Sequence, residues 1–462
     1  MNLKGNKAIT LVALIITIIV LLILAGVTLN MVLGENGLIN KAQSSEDKYK
    51  ESATNEQALL NEIENYIAQG WTGTQKNGAD VNAPQLSQGM IPIKWNGSNW
   101  VITTKDDPDW YAYIDTSTSG NTDKSKWANV MLSDGKYSNV TPIPSGKTAA
   151  KKDTVVEIGD LGSMFVWIPR YAYNIKSGVH TNSQGEIQIE FLKGIAKTSS
   201  QGNTFANIKA DGSIDTTATA GNDKWLVHPA FLNNTTIGGW DRELEGIWVA
   251  KFEASSTNPS ANAGGGDVTT LNVKVLPNTI SWRYIREAYI FTNCLAMKNS
   301  GNIYGLATTS EPHEIKNTEW GAVAYLAHSK YGRNRTEISH NDNTSFYTGG
   351  NNYTSNIAQS STGNVYGIYD LNGCSYEFTA SGLTSNVNST FGSSQTKYVN
   401  RYNTSIVATQ YGDAVYETPA WFNDFHFSLA DSTPFFLRDA TCSHKTSGGA
   451  FSYFGWHRKC SK

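Results

Sequence analysis

The sequence predicts an α+β fold in which an amino-terminal helix precedes a β-rich spacer and a larger carboxyl-terminal domain. Three observations predict this class. An apolar run without a charged residue extends from 8 to 33. Residues 70–160 hold short strand-like segments between turn residues. Residues 161–462 combine strand-like segments with two stretches of helical periodicity. A chain of 462 residues is long enough for two or three domains.

The apolar run is long enough to cross a membrane as a helix. A helix rises about 1.5 Å per residue and a bilayer core is roughly 30 Å thick, so Ile9–Leu29 can span it. Lys4 and Lys7 precede the run, and the next charge is Glu35. This asymmetry predicts a single-pass protein of the cell membrane with its carboxyl-terminal bulk extracellular. The alternatives are a plain signal anchor and a signal peptide, although Gly26–Thr28 makes a poor cleavage site.

The start of this run carries a processing motif. Lys7–Ala13, KAITLVA, resembles the class III signal of type IV pilins and pseudopilins. The resemblance implies that a prepilin peptidase cuts between Ala8 and Ile9, and that other pilin subunits are partners in a pilus. Ala13 stands where the family has the glutamate that pairs with a neighbouring subunit. This difference favours a minor pilin or a pilin-like anchor over a major pilin.

Composition limits the classes of partner. The formal net charge is −3, and no basic cluster is present, so nucleic acid is not predicted as a partner. Aromatic residues make up 11% of the chain, including 13 Trp and 22 Tyr. This content is typical of strand-rich extracellular modules that bind through aromatic and small polar side chains. It is equally compatible with any well-packed β domain.

The strands and helices follow from local patterns. Met90–Trp95 and Trp100–Thr103 predict a hairpin around Asn96–Asn99. Ser281 is a candidate amino-terminal cap for a helix over 282–296. A second helix is predicted over 318–327, capped by Asn317 or Thr318 and led by Trp320.

Two motifs in the carboxyl-terminal part carry a second resemblance. Thr318–Ala327, TEWGAVAYLA, is similar to the "TEAEWEYAA" helix of formylglycine-generating, sulfatase-modifying proteins. Asn364–Phe378, NVYGIYDLNGCSYEF, resembles their "NVWGLYDMSGNVWEW" block. The resemblance covers 161–462 and implies a C-type-lectin-like domain, with two helices on a twisted antiparallel sheet. The same fold carries the variable ligand-binding proteins of diversity-generating retroelements.

The predicted architecture is therefore a leader peptide at 1–8, a transmembrane and pilin-like helix at 9–69, a β-rich spacer at 70–160 and a C-type-lectin-like domain at 161–462.

In the formylglycine-generating family, oxidase chemistry needs two cysteines close together near the carboxyl terminus. Here Cys442 is out of register after Arg438, and Cys460 lies far beyond it. The sequence thus predicts a protein without catalytic residues.

The sequence leaves alternatives open for the pairing of the cysteines and for metal binding. Cys294, Cys374, Cys442 and Cys460 allow up to two disulfides in three full pairings, or free buried thiols. The family's structural calcium site uses an Asn and a Glu, of which Glu377 is kept whereas Cys374 replaces the Asn. No cofactor is predicted, with calcium as the alternative. A zinc site of Cys442, His444, His457 and Cys460 is disfavoured by its one-residue Cys-x-His gap.

Binding is the predicted function. Aromatic, basic and small polar side chains near the carboxyl terminus form the candidate ligand-binding set, namely His444, Lys445, Ser447, Tyr453, Phe454, Trp456 and His457. Alternatively, Phe451, Tyr453 and Trp456 alternate into the core as a last strand. The sequence thus predicts a cell-surface adhesion protein that binds an extracellular protein or a glycan. The other candidates are a formylglycine-generating-type oxidase and a structural minor pilin.

Overall fold

The computed structural model describes residues 80–456 apart from 118–121, 199–224, 236–238, 259–266, 404–409, 428, 431, 440 and 444–447, together with 15–19, 21, 22 and 24. The chain divides into two units, 1–73 and 74–462. In the first unit the described positions are helical. The second unit contains the strands and helices that follow.

The described residues of the second unit form seventeen strands and three α-helices. In chain order the strands are β1 (Met90–Trp95), β2 (Trp100–Ile102), β3 (Asn129–Leu132), β4 (Tyr137–Ser138), β5 (Thr148–Ala149), β6 (Val155–Val156), β7 (Met164–Pro169), β8 (Tyr171–Ile175), β9 (Ile187–Phe191), β10 (Leu226–Val227), β11 (Gly246–Ala250), β12 (Ser255–Ser256), β13 (Val273–Lys274), β14 (Glu377–Leu383), β15 (Asn400–Tyr402), β16 (Phe435–Arg438) and β17 (Tyr453–Trp456). The helices are α1 (Glu287–Ala296), α2 (Asn317–His328) and α3 (Thr384–Phe391).

The largest sheet has six antiparallel strands in the order β11-β7-β3-β1-β2-β6. Its β1–β2 hairpin pairs Trp95 with Trp100 across the Asn96–Asn99 turn, which confirms the hairpin predicted from the sequence. The sheet joins strands from 90–156 to β7 and β11. Segments predicted as spacer and as lectin-like domain therefore share one set of backbone hydrogen bonds.

The last sheet has the order β15-β14-β16-β17 and carries the carboxyl-terminal part of the described chain. Its β14–β16 and β16–β17 pairs are antiparallel, whereas β14 and β15 run parallel. A smaller sheet, β10-β8-β9, is antiparallel.

Helix α2 lies inside the core, and all twelve of its residues are buried. Ser381 Oγ accepts a hydrogen bond from Asn317 N at 2.9 Å, and Asn400 Oδ1 accepts one from Thr318 N at 2.9 Å. The first amides of the helix, which have no partner within the helix, are thus satisfied by β14 and β15. This arrangement fixes α2 against the last sheet.

The sequence placed the start of the first helix too early. The predicted cap was Ser281, whereas α1 begins at Glu287. Tyr284 has φ +59°, in the left-handed region, and a residue in that conformation cannot continue a right-handed helix.

The predicted α+β class is wrong. The described body is rich in sheet, with helices of only 10, 12 and 8 residues. Two of them coincide with the predicted helical stretches, but a third was not predicted, and the last sheet is mixed rather than antiparallel. Apolar periodicity located two of the three helices, yet most buried apolar residues lie in strands and irregular loops.

The transmembrane helix of the predicted architecture is not found among the described residues. Within the described part of the chain, no helix is both long and apolar enough to cross a membrane. The leader at 1–8, including Ala8, together with Ile9 and most of the helix predicted over 9–69, lies outside the described residues.

Candidate functional site

The last sheet presents aromatic side chains at its β17 side. The segment 425–427 runs beside β17 through three backbone hydrogen bonds, Tyr453 N to Phe425 O at 3.1 Å, Phe427 N to Tyr453 O at 2.9 Å and Gly455 N to Phe427 O at 3.1 Å. This pairing fixes the directions in which Phe425 and Phe427 project. The backbone of the site is therefore held by a sheet rather than by a free loop.

Four aromatic side chains form a surface that we call the terminal aromatic patch, namely Tyr376, Phe425, Phe427 and Phe454. Phe425 and Phe427 are 46% and 55% exposed. The Phe425 ring stacks on Phe454 with centroids 4.8 Å apart, and Phe454 meets Tyr376 edge-on at 5.2 Å. Single exposed apolar residues are common, but rings stacked on one another at the surface are typical of contact sites.

The loop before this segment has an unusual backbone. Ala420, Phe422 and Asn423 have φ values of +54°, +64° and +64°. Non-glycine residues in the left-handed region cost roughly 1–3 kcal/mol each, and such conformations cluster at functional sites. Trp421 holds the loop in place, because its ring is buried and its Nε1 donates to Gly178 O at 3.2 Å.

A buried arginine joins this region to α2. Arg438 ends β16, and its guanidinium donates to Ala450 O at 3.1 Å and to Ala414 O at 3.3 Å. It also lies 5.4 Å from the centre of the Trp320 ring. Burial lowers the pKa of Arg438 to about 10, although the charge of Asp413 acts in the opposite direction. The guanidinium remains charged at neutral pH and fixes the last strands to the core.

Acidic side chains lie close to Cys374. Glu253 Oε1 accepts from Ser375 N at 2.8 Å, Asp370 Oδ1 accepts from Gly349 N at 2.9 Å, and Asp439 Oδ1 accepts from Gly373 N at 2.8 Å. Burial raises the pKa of Asp370 to about 6. Burial, and then the charge of Asp370, raise the pKa of Glu377 to about 8.

The raised pKa values of Glu253 and Glu377 favour the protonated form of these two carboxyls at neutral pH. Burial, and then the charge of Glu377, raise the pKa of Glu253 well above its ordinary value. The described residues include no group of three or more His, Cys, Asp or Glu placed to hold a metal ion. Calcium at Glu377 therefore stays a prediction.

The described cysteines are buried or partly buried. Cys442 N donates to Cys374 O at 3.1 Å, so these two residues are neighbours, while no disulfide joins Cys294, Cys374 and Cys442. Burial, and then the charge of Glu253, raise the pKa of the Cys374 thiol well above its ordinary value. Oxidase chemistry needs a thiolate, and this environment disfavours one. Cys460 lies outside the described residues.

The residues of the predicted ligand-binding set fall into three groups. His444, Lys445, Ser447 and His457 lie outside the described residues. Tyr453 is 4% exposed and packs in the core with Phe436, whereas Phe454 is half-buried within the terminal aromatic patch. Trp456 lies in β17, where its backbone pairs with Phe435.

Three members of the terminal aromatic patch were missed from the sequence. Phe425 and Phe427 belong to the run Asp424–Ser428, DFHFS, in which polar and aromatic residues alternate. That alternation was the available signal, since it predicts a half-exposed strand. Tyr376 was assigned only to the family block, and nothing in the sequence separates it from the buried tyrosines nearby.

Comparison with known proteins gives no assignment. No protein-family model, curated protein or solved structure matches this chain.

Proposed function

We propose that this chain is a binding protein without catalytic activity that attaches to an extracellular protein through the terminal aromatic patch. The observation that carries the proposal is the exposure of Phe425 and Phe427 next to the Phe425–Phe454 stack. Rigid aromatic side chains offer large contact area at low entropic cost, and they dominate the energetics of many interfaces. The left-handed loop residues and the backbone pairing with β17 support a preformed surface.

The proposal is tested by capture of ligands on the full-length chain. The probes are a panel of purified extracellular proteins and a glycan array, because the sequence also predicted glycan as a ligand class. We expect a protein from the panel to bind, and Phe425→Ala combined with Phe427→Ala to weaken binding at least tenfold. Tyr284→Ala is the matched control, since Tyr284 is 59% exposed and outside the patch.

Two outcomes contradict the proposal. One is a folded chain that captures no protein from the panel, including the case in which only a glycan binds. The other is a Phe425→Ala, Phe427→Ala variant that binds as tightly as the Tyr284→Ala control. In either case the patch is an ordinary apolar area of the surface.

Display outside the cell is a further part of the proposal. It is supported by the Lys7–Ala13 motif, which resembles the processing signal of type IV pilins. We expect a mature chain that begins at Ile9 with a methylated amino group, measured by mass spectrometry of the amino-terminal peptide. A mature chain that keeps Ala8 would contradict processing by a prepilin peptidase.

A further inference from the structure

A small pocket lies between the carboxyl-terminal turn of α2 and the strained loop that precedes the terminal aromatic patch. His328, Glu337, Phe422, Asp424 and Phe451 are among its lining residues. Its interior has a volume of about 20 Å³, which is room for a group the size of one water molecule. Glu337 is exposed and Phe422 is partly exposed, so the pocket opens to solvent at these residues.

The polar side chains of the pocket offer hydrogen-bond acceptors. Asp424 lines the pocket, is 3% exposed, and accepts a hydrogen bond at its Oδ2 from Phe451 N at 3.0 Å. A Cβ at Gly449 would collide with the Asp424 carboxyl, so the glycine permits close packing behind it. Glu337 provides a second carboxyl at the rim.

His328 adds a third acceptor at the inner end. Its Nε2 lies 2.8 Å from Gly185 O, a carbonyl that can only accept, so Nε2 carries the proton. Its Nδ1 then presents a lone pair, and this atom is buried without a hydrogen-bond partner. Burial lowers the pKa of His328 to about 4, so the ring is neutral at physiological pH. A buried nitrogen of this kind is satisfied when a donor enters the pocket.

The apolar walls of the pocket suit a cation. The rings of Phe422 and Phe451 lie 5.6 and 5.7 Å from the His328 ring. Aromatic faces stabilise a neighbouring cation, and the two carboxyls supply hydrogen-bond acceptors and, where ionised, the opposite charge. An ammonium group has three donors, no acceptor and nearly the size of water, whereas a planar guanidinium is too large for a one-water space.

We propose that this pocket binds a primary ammonium group, and that its natural occupant is the side-chain ammonium of a lysine on the protein partner. The inference rests on the proposed function, because Asp424 immediately precedes Phe425 of the terminal aromatic patch. The patch then supplies apolar contact area, while the pocket selects a surface on which a lysine lies beside apolar residues. A partner that offers arginine at that position fits poorly.

The protonation state of Asp424 sets the conditions of the test. Burial raises the pKa of this carboxyl to about 8. The charge of Glu337 raises the same pKa, and the charge of Arg438 lowers it. At pH 8.5 the Asp424 carboxyl is mostly ionised and a lysine ammonium still holds its proton. Binding measured at this pH therefore needs little proton release from the pocket.

The experiment uses the full-length chain and small probes, so that no natural ligand has to be known. Ligand-observed saturation-transfer NMR compares the N-acetyl methylamides of lysine, of Nε-acetyl-lysine and of arginine at pH 8.5. We expect the lysine probe to bind at least fivefold more tightly than either of the other two. Asp424→Asn and Glu337→Gln should each weaken lysine binding at least fivefold.

The controls keep the result interpretable. Glu157→Gln removes an exposed carboxyl elsewhere and should leave lysine binding unchanged. Thermal unfolding of each variant establishes that it is folded. If Asp424→Asn is unstable, Glu337→Gln at the exposed rim still tests whether the pocket binds the lysine probe. Three outcomes would show that the pocket holds a structural water only. They are equal binding of the three probes, no binding of the lysine probe, and unchanged lysine binding in both Asp424→Asn and Glu337→Gln.

The outcome also separates this inference from the proposed function. If the lysine probe binds whereas the protein panel gives no ligand, the pocket stands and the proposed function fails. If a protein binds through the patch while the lysine probe does not bind, the proposed function stands and the pocket is excluded as its selectivity element.

Discussion

At the scale of single residues, Glu377 shows how the surroundings of a carboxyl set its charge. It begins β14 close to Asp370, with Glu253 and Asp439 as further acidic neighbours of the group. Burial, and then the charge of Asp370, raise the pKa of Glu377 to about 8. The folded chain therefore keeps a proton on this carboxyl at neutral pH, whereas the unfolded chain releases it.

This difference predicts the pH dependence of stability. Between pH 6.5 and 8 the unfolded state binds fewer protons at Glu377 than the folded state, so the contribution of Glu377 to stability falls as pH rises. The loss is about 1.4 kcal/mol per pH unit for one group and ends above the folded pKa. Glu377→Gln does not titrate, so its free energy of unfolding should increasingly exceed that of the wild type over this range.

Urea unfolding at pH 6.5, 7.25 and 8 measures this difference. Comparison of variant with wild type removes the contributions of buried groups whose pKa does not depend on the charge of Glu377, such as Lys251. Glu157→Gln, at an exposed position, should show no trend with pH. A difference that stays constant or shrinks as pH rises would show that Glu377 is ionised in the folded state.

At the scale of elements, β17 separates structural from binding roles among adjacent residues. Successive side chains of a strand point to opposite faces, so Tyr453 packs in the core while Phe454 belongs to the terminal aromatic patch. Tyr453→Ala should lower the free energy of unfolding by about 3–5 kcal/mol, as for other buried aromatic residues. Phe454→Ala should cost about 1 kcal/mol or less and instead weaken ligand binding.

Urea unfolding and ligand capture with the two variants test this division. The sequence left two interpretations of the last aromatic residues, as ligand contacts or as a buried strand. In β17, Tyr453 fits the interpretation as a buried strand residue, and Phe454 fits the interpretation as a ligand contact. Equal losses of stability in Tyr453→Ala and Phe454→Ala would contradict it.

The limits of sequence reasoning at this scale are physical. The β1–β2 hairpin was predictable because Asn96–Asn99 carries local turn chemistry. The parallel β14–β15 pair was not, because it joins segments separated by α3 and has no local signal. The predicted caps of α2, Asn317 and Thr318, are wrong, because both residues lie within the helix and Lys316 stands at the cap position. The partners of the first helical amides, Ser381 and Asn400, come from distant strands and give no local signal.

The candidate site shows the same contrast. The sequence predicts Phe454 as a ligand contact, because the carboxyl-terminal region is dense in aromatic residues. It does not predict Phe425, because the role of Phe425 depends on pairing with β17 and on stacking against Phe454. The pocket was not predictable at all, since His328, Glu337 and Asp424 lie on three separate segments.

At the scale of the whole molecule, the six-stranded sheet makes 90–156 and 161–462 parts of one folded body. β3 pairs with β7 through Asn129 and Val166, and Trp100 Nε1 donates to Tyr353 Oη at 2.9 Å. A fragment of 161–462 would expose one edge of β7 and leave the apolar surface that Trp100 covers open to water. Such edges promote aggregation.

We therefore expect the fragment 161–462 to be insoluble or to lack a cooperative unfolding transition. The fragment 74–462, which keeps every strand of the sheet, should unfold cooperatively and show the same near-ultraviolet circular dichroism as the full chain. Thermal unfolding and size-exclusion chromatography of both fragments provide the comparison. A monomeric 161–462 that unfolds cooperatively would show that the first strands are a separate domain, and that the terminal aromatic patch can be studied without them.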